Sequence, residues 1–150
     1  MSDIVKRRVL VADDDPSIRH AVRLKLTKAD LDVITAQDGE EALRLALEQE
    51  PELMIVDVAM PYMTGYELCR ELRKNTRFGR TPAIVLTAME QDIDPKLAAE
   101  LGVVRFMTKP FSPRELVATV LELLKDAPPR TPVAGRAPTP GIPGGPADPR

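Results

Sequence analysis

The groups in this chain best suited to chemistry stand at the ends of short apolar runs. Asp13, Asp14 and Asp15 close the run Arg8–Asp13 (RVLVAD). Asp57 sits inside Leu53–Val58 (LMIVDV), and Thr87 inside Ala83–Ala88 (AIVLTA). Lys109 follows Val103–Thr108 (VVRFMT) and precedes Pro110. A charge inside an apolar stretch is costly unless paired, so Asp57 calls for partners and a use. Clustered carboxylates without Cys or His favour a hard cation, and Mg2+ is the usual one beside phosphate. A carboxylate next to such an ion can attack a phosphoryl group and form an acyl phosphate, because the ion offsets the repulsion between two anions. Lys109 would supply a compact positive charge for the phosphoryl oxygens, and Thr87 a hydrogen bond to one of them.

These groups can act together only if the fold brings the strand ends to one edge. The runs at Arg8–Asp13, Leu53–Val58 and Ala83–Ala88 are rich in Val and Ile and nearly continuous, as strands covered on both faces are. Asp32–Ala36 (DVITA) and Val103–Thr108 are weaker strand candidates. Helical patterns alternate with them. Asp15–Pro16 begins a helix with the apolar stripe Ile18, Val22, Leu26 and Ala29. Asp38 with Glu41 opens a helix to about Glu48, and Thr64 with Glu67 opens another to about Lys74. A fourth runs over about Pro95–Leu101 and ends at Gly102. Ser112, Pro113 and Glu115 open the last, to about Lys125. Five β-α repeats argue for an α/β fold, a doubly wound five-stranded parallel sheet with helices on both faces. Such sheets bind ligands at the carboxyl ends of their strands.

Composition bounds the rest. With 43% hydrophobic and 29% charged residues the chain is ordinary for a globular protein, and a formal charge of −2 lacks the basic bias of a nucleic-acid binder. One cysteine excludes an intrachain disulfide and a cysteine zinc site. Cys69 falls at helical spacing with Leu68 and Leu72 and reads as core, His20 as a solvated helix residue, and Asp15 as a helix cap. No apolar run reaches 18 residues and no signal peptide is visible, so a cytoplasmic location without membrane association is expected. The character changes near Asp126. Residues 127–150 hold eight prolines and four glycines, with only Val133 and Ile142 large and apolar. Such a segment is expected to be a disordered tail or linker, and residues 1–126 the folded domain. The tail carries a net +2, which leaves −4 on the domain.

The segments VLVADDDPSIR, LMIVDVAMPYMTGYELCRELR, AIVLTA and TKPF closely resemble the response-regulator receiver family of two-component signalling, over about residues 7–125. The spacing from Asp57 to Thr87 to Lys109 is also the family's. The resemblance implies a flavodoxin-like sheet of order 2-1-3-4-5. It implies Mg2+-dependent phosphotransfer from a histidine kinase, a phosphotransfer protein or a small phosphodonor. By the same resemblance Asp57 is the phosphoacceptor, and Asp13, Asp14, Asp57 and the Ala59 carbonyl are the metal ligands. Thr87 is the switch hydroxyl, Phe106 the switch aromatic and Lys109 the phosphate-sensing lysine. The Lys109–Pro110 bond is expected to be cis, as it often is in the family. The face of the fourth helix, fifth strand and fifth helix is the expected surface for a downstream protein or a phosphorylation-dependent homodimer.

The chain departs from its relatives at Ala59, at Met89, and at Val103 and Val104, where larger, polar and acidic residues respectively are common. No winged-helix, helix-turn-helix or catalytic pattern follows within the 150 residues. A phosphatase of the dehalogenase type also uses a strand-end Asp, but with its DxD on the first strand and a cap domain that 126 residues do not accommodate. Retention of Asp57, Thr87 and Lys109 together argues against a scaffold without phosphotransfer. A phosphoacceptor rather than an enzyme, with no direct DNA contact, is therefore the expected role.

Overall fold

The computed structural model describes residues 6–75 and 81–125; the tail expected over 127–150 lies outside these. Five strands, β1 (Arg8–Ala12), β2 (Asp32–Ala36), β3 (Leu53–Asp57), β4 (Ala83–Thr87) and β5 (Val103–Thr108), alternate with five helices. These are α1 (Pro16–Lys28), α2 (Gly39–Gln49), α3 (Gly65–Arg73), α4 (Pro95–Glu100) and α5 (Pro113–Lys125). All pairings are parallel, in the order β2-β1-β3-β4-β5. The weaker strand patterns belong to β2 and β5 because these are the edges. Most β2 residues are only partly buried, whereas all of β3 and β4 is buried.

Alternation along each strand divides the core into two layers. Val9, Val11, Leu53, Ile55, Ile84 and Leu86 pack with Val22 and Leu26 of α1 and Leu116, Val120 and Leu124 of α5. Ile18 and Ala29 complete the α1 stripe as partly buried members of that layer. Leu10, Met54, Val56 and Val85 face the other way, with Ala42 and Ala46 of α2, Leu68 and Leu72 of α3 and Ala98 of α4. Cys69 is fully buried there, and burial pushes its thiol up to about 11, which keeps it unreactive.

The helix starts follow their caps. Asp15 accepts from the Ser17 amide, Asp38 from Glu41 and Ser112 from Glu115. Thr64 and Glu67 form the full reciprocal capping box. At α2 the acid reaches one residue further back: Glu41 Oε1 accepts from the Gln37 amide at 2.8 Å. The Lys109–Pro110 peptide is cis. Gly102 ends the α4 turn at φ 77°, and a Cβ there would strike the Arg73 guanidinium.

Candidate functional site at the carboxyl edge of the sheet

The register explains why distant residues meet. Ala12 pairs with Val56, which sets Asp13, one residue beyond β1, level with Asp57 at the end of β3. Thr87 ends β4 opposite Thr108 of β5. Lys109 comes next, its amide donating to the Thr87 carbonyl at 2.8 Å. From that edge its side chain extends to two carboxylates. Lys109 Nζ lies 2.9 Å from Asp13 Oδ2 and 3.2 Å from Asp57 Oδ2. Asp13, Asp14 and Asp57 each offer an oxygen within 4.8 Å of the others.

The balance of charge is unfavourable without a further cation. Three carboxylates face one ammonium. Asp13 is wholly buried and Asp57 is 4% exposed, while Asp14 opens to solvent. Asp13 Oδ1 accepts from the Asp15 amide at 2.9 Å. Its Oδ2 touches Lys109 but is out of line for a hydrogen bond, and it is buried without another partner among the described residues. Burial, then the neighbouring Asp13 charge, raises the Asp57 carboxyl from 3.8 to about 6, against the pull of Lys109 and the Ala59 amide. Burial draws Lys109 down, but its two carboxylates outweigh this and hold its pKa above the ordinary lysine value. An all-oxygen donor set with surplus negative charge and an orphaned buried oxygen fits a hard divalent cation.

The other expected site residues are placed less uniformly. Ala59 is exposed on the β3–α3 connection, and its amide points to Asp57 Oδ1 at 3.4 Å. Thr87 is buried beside the cluster, yet its hydroxyl is engaged elsewhere: it donates to the Met89 carbonyl at 2.9 Å and accepts from the Met89 amide at 3.2 Å. Phe106 is partly buried against the α2–α4 layer. His20 is exposed and Asp15 only caps α1. Sequence reasoning passed over Tyr66 and Arg73, which reach from α3 to residues 26 and 28 positions away. Their only local signal was a place in a helix. Tyr62 was also missed: it stands 79% exposed at φ 72° in the β3–α3 connection.

Among the described residues no helix is long and apolar enough to cross a membrane. A family model described as the response regulator receiver domain matches residues 9–121. The alkaline phosphatase synthesis transcriptional regulatory protein PhoP of Bacillus subtilis is 41% identical over 121 residues, 81% of this chain and 50% of that protein. The probable transcriptional regulator ycf27 of Cyanophora paradoxa is 42% identical over 123 residues, 82% of this chain and 50% of that protein. The chain thus spans about half the length of these relatives. Among solved structures, the chemotaxis response regulator CheY4 of Vibrio cholerae superposes with a TM-score of 0.74 at 34% identity, covering 79% of this chain and 99% of that one. The family match takes in nearly all of the sheet and every strand end that contributes to the acidic edge, and the chain belongs to the response regulator receiver domains of two-component signalling.

Proposed function

We propose that Asp57 is the phosphoacceptor, taking a phosphoryl group from a histidine kinase, a phosphotransfer protein or a small phosphodonor. The observation that carries this reading is the convergence of Lys109 Nζ on Asp13 and Asp57, 2.9 and 3.2 Å away, within a cluster of three carboxylates. Asp13, Asp14, Asp57 and the Ala59 carbonyl would hold Mg2+, which when bound offsets the repulsion between the carboxylate and an anionic donor. Asp57, with its ionisation near 6, is mostly anionic at neutral pH and can attack phosphorus as its bond to the donor breaks. Lys109 stands close enough to neutralise charge on the phosphoryl oxygens. The product is an acyl phosphate on Asp57, so the domain assists its own phosphorylation and dephosphorylation and turns over no metabolite.

The new phosphoryl oxygens offer Thr87 an acceptor better than the Met89 carbonyl. Moving its hydroxyl inward leaves room for Phe106 to follow, and the face of α4, β5 and α5 changes shape. The phosphoryl group thereby biases an existing equilibrium rather than building a new fold. That face is the surface we assign to a downstream protein partner or a phosphorylation-dependent homodimer, and the domain's place is the cytoplasm. The net −4 expected for residues 1–126 gives no ground for direct DNA contact by this domain.

The test is intact-mass and borohydride-trapping analysis after incubation with acetyl phosphate and Mg2+. One phosphoryl group on Asp57, abolished by EDTA and by Asp57→Ala, is the expected result. Labelling elsewhere, or full labelling of the Ala variant, would overturn the assignment.

A further inference from the structure

The connection between β4 and α4 is anchored by a side chain from another helix. The Met89 carbonyl that accepts from Thr87 also accepts from the Asp92 amide at 3.0 Å, closing a short 3-10 turn over Glu90–Asp92. Tyr66, in the first turn of α3, takes up the far side of that turn. Its hydroxyl donates to the Asp92 carbonyl at 3.3 Å and accepts from the Asp94 amide at 3.2 Å. Asp94 is the N-cap of α4, its carboxylate accepting from Leu97. Seven residues along α3, on the same face, Arg73 holds the other end: Nε donates to the Leu101 carbonyl at 2.8 Å and Nη2 to the Thr81 carbonyl at 2.6 Å. So α3 grips α4 at both ends. Its own start is fixed at the site, where the Gly65 amide donates to the Val58 carbonyl at 3.0 Å and a Cβ on Gly65 would lie 2.5 Å from the Asp57 backbone oxygen.

We propose that Tyr66 is a positioning residue for the switch, its hydroxyl fixing the 88–94 connection in the form that parks Thr87 on Met89 and away from Asp57. The inference rests on the reading of Asp57 as phosphoacceptor. The Thr87 hydroxyl has one proton, and in this structure the Met89 carbonyl receives it. To donate to a phosphoryl oxygen, Thr87 must leave that carbonyl. The carbonyl is held in place by a turn whose last carbonyl, that of Asp92, and the Asp94 amide two residues on are both spoken for by Tyr66. The hydrogen bonds form a chain: Thr87 to Met89, Met89 to Asp92, Asp92 to Tyr66, Tyr66 to Asp94. Removing the hydroxyl exposes two backbone groups to water and frees the turn to move, while the ring, packed against the α2–α4 layer, is retained by phenylalanine.

The experiment compares the full chain with Tyr66→Phe by amide NMR, at rest in Mg2+ and after acetyl phosphate. Thr87, Met89 and Phe106 resonances of the resting variant should lie part of the way along the line joining the parent's resting and phosphorylated positions. Labelling of Asp57 should be roughly three- to fivefold faster, the scale of one or two weak hydrogen bonds. In a Thr87→Ala background the same substitution should leave Phe106 in place and the labelling rate unchanged. Shifts confined to the neighbours of Tyr66, or equal Phe106 shifts in both backgrounds, would overturn the proposal while leaving the phosphoacceptor intact. Absence of label on Asp57 in every protein would instead remove the phosphoacceptor reading, and this proposal with it.

Discussion

Replacing Asp57 by asparagine should stabilise the domain at neutral pH. The carboxyl ionises at 3.8 when unfolded and at about 6 in the folded protein, because burial and then the Asp13 charge outweigh Lys109. Below 3.8 both states are protonated and the group is neutral to stability. As pH rises to 6 the unfolded chain loses its proton first, so stability falls through that window, and above it the full cost remains. At about 1.4 kcal/mol per pH unit, the gap from 3.8 to about 6 corresponds to about 3 kcal/mol. Asparagine keeps the shape and removes the charge, and because the gap is already net of the attraction of Lys109 Nζ, 3.2 Å away, a gain of about 3 kcal/mol is expected. That corresponds to a Tm rise on the order of 10 °C. The assay is thermal unfolding of the full-length parent and Asp57→Asn in EDTA, from pH 4 to pH 8. The gain should be present at pH 7 and largely gone at pH 4. Mg2+ should then raise the parent's Tm more than the variant's, since the parent offers three carboxylates. A variant less stable than the parent at pH 7, or an equal gain at both pH values, would refute the account of Asp57 as a buried charge held at a cost.

Lys109→Gln should move the Asp57 titration further above 6, read by carboxylate NMR in EDTA, because the main opposing positive charge is lost; an unmoved titration would show that Lys109 does not pair with Asp57. Gly65→Ala should destabilise by about 2 kcal/mol and slow labelling of Asp57, because its Cβ would meet the Asp57 backbone oxygen at 2.5 Å with no flexible neighbour to give way. Tyr62→Gly should stabilise by about 1 kcal/mol, seen as a higher Tm with unchanged acetyl phosphate labelling, since the aromatic residue holds φ 72° with its side chain 79% exposed. Ala59→Asn and Met89→Glu should shorten the life of the phosphorylated state, on the order of tenfold at most. Neither native side chain can orient a water, and Met89 is already half exposed. Decay no faster than the parent's in both variants would show that water positioning does not limit the lifetime.

How far the sequence could be read depended on whether a feature is written locally. Helix starts were legible because a cap and its amide lie two or three residues apart, as at Asp15 and Ser17 or Thr64 and Glu67. The central strands were legible because burial on both faces forces an unbroken apolar run. The α2 cap was legible in the same way, with Asp38 accepting from the Glu41 amide; that the Glu41 carboxylate reaches back to Gln37 was decided by the backbone geometry. Asp13, Asp14, Asp57, Thr87 and Lys109 were identifiable by type and by position at strand ends, since a parallel sheet must collect those ends at one edge.

What the sequence by itself determined, then, is the order of elements, the burial of the central strands on both faces and the set of groups delivered to the carboxyl edge. All of these follow from periodicity and from the direction of a parallel sheet. Tertiary structure decided which of those groups touch. Lys109 serves Asp13 as well as Asp57, Asp13 Oδ2 is left without a hydrogen bond, and Thr87 turns to Met89 instead of the cluster. The grip of α3 on α4 through Tyr66 and Arg73 is of the same kind. Contacts across 26 to 28 residues depend on how two helices dock on one sheet face, and no local pattern of residue types records that geometry.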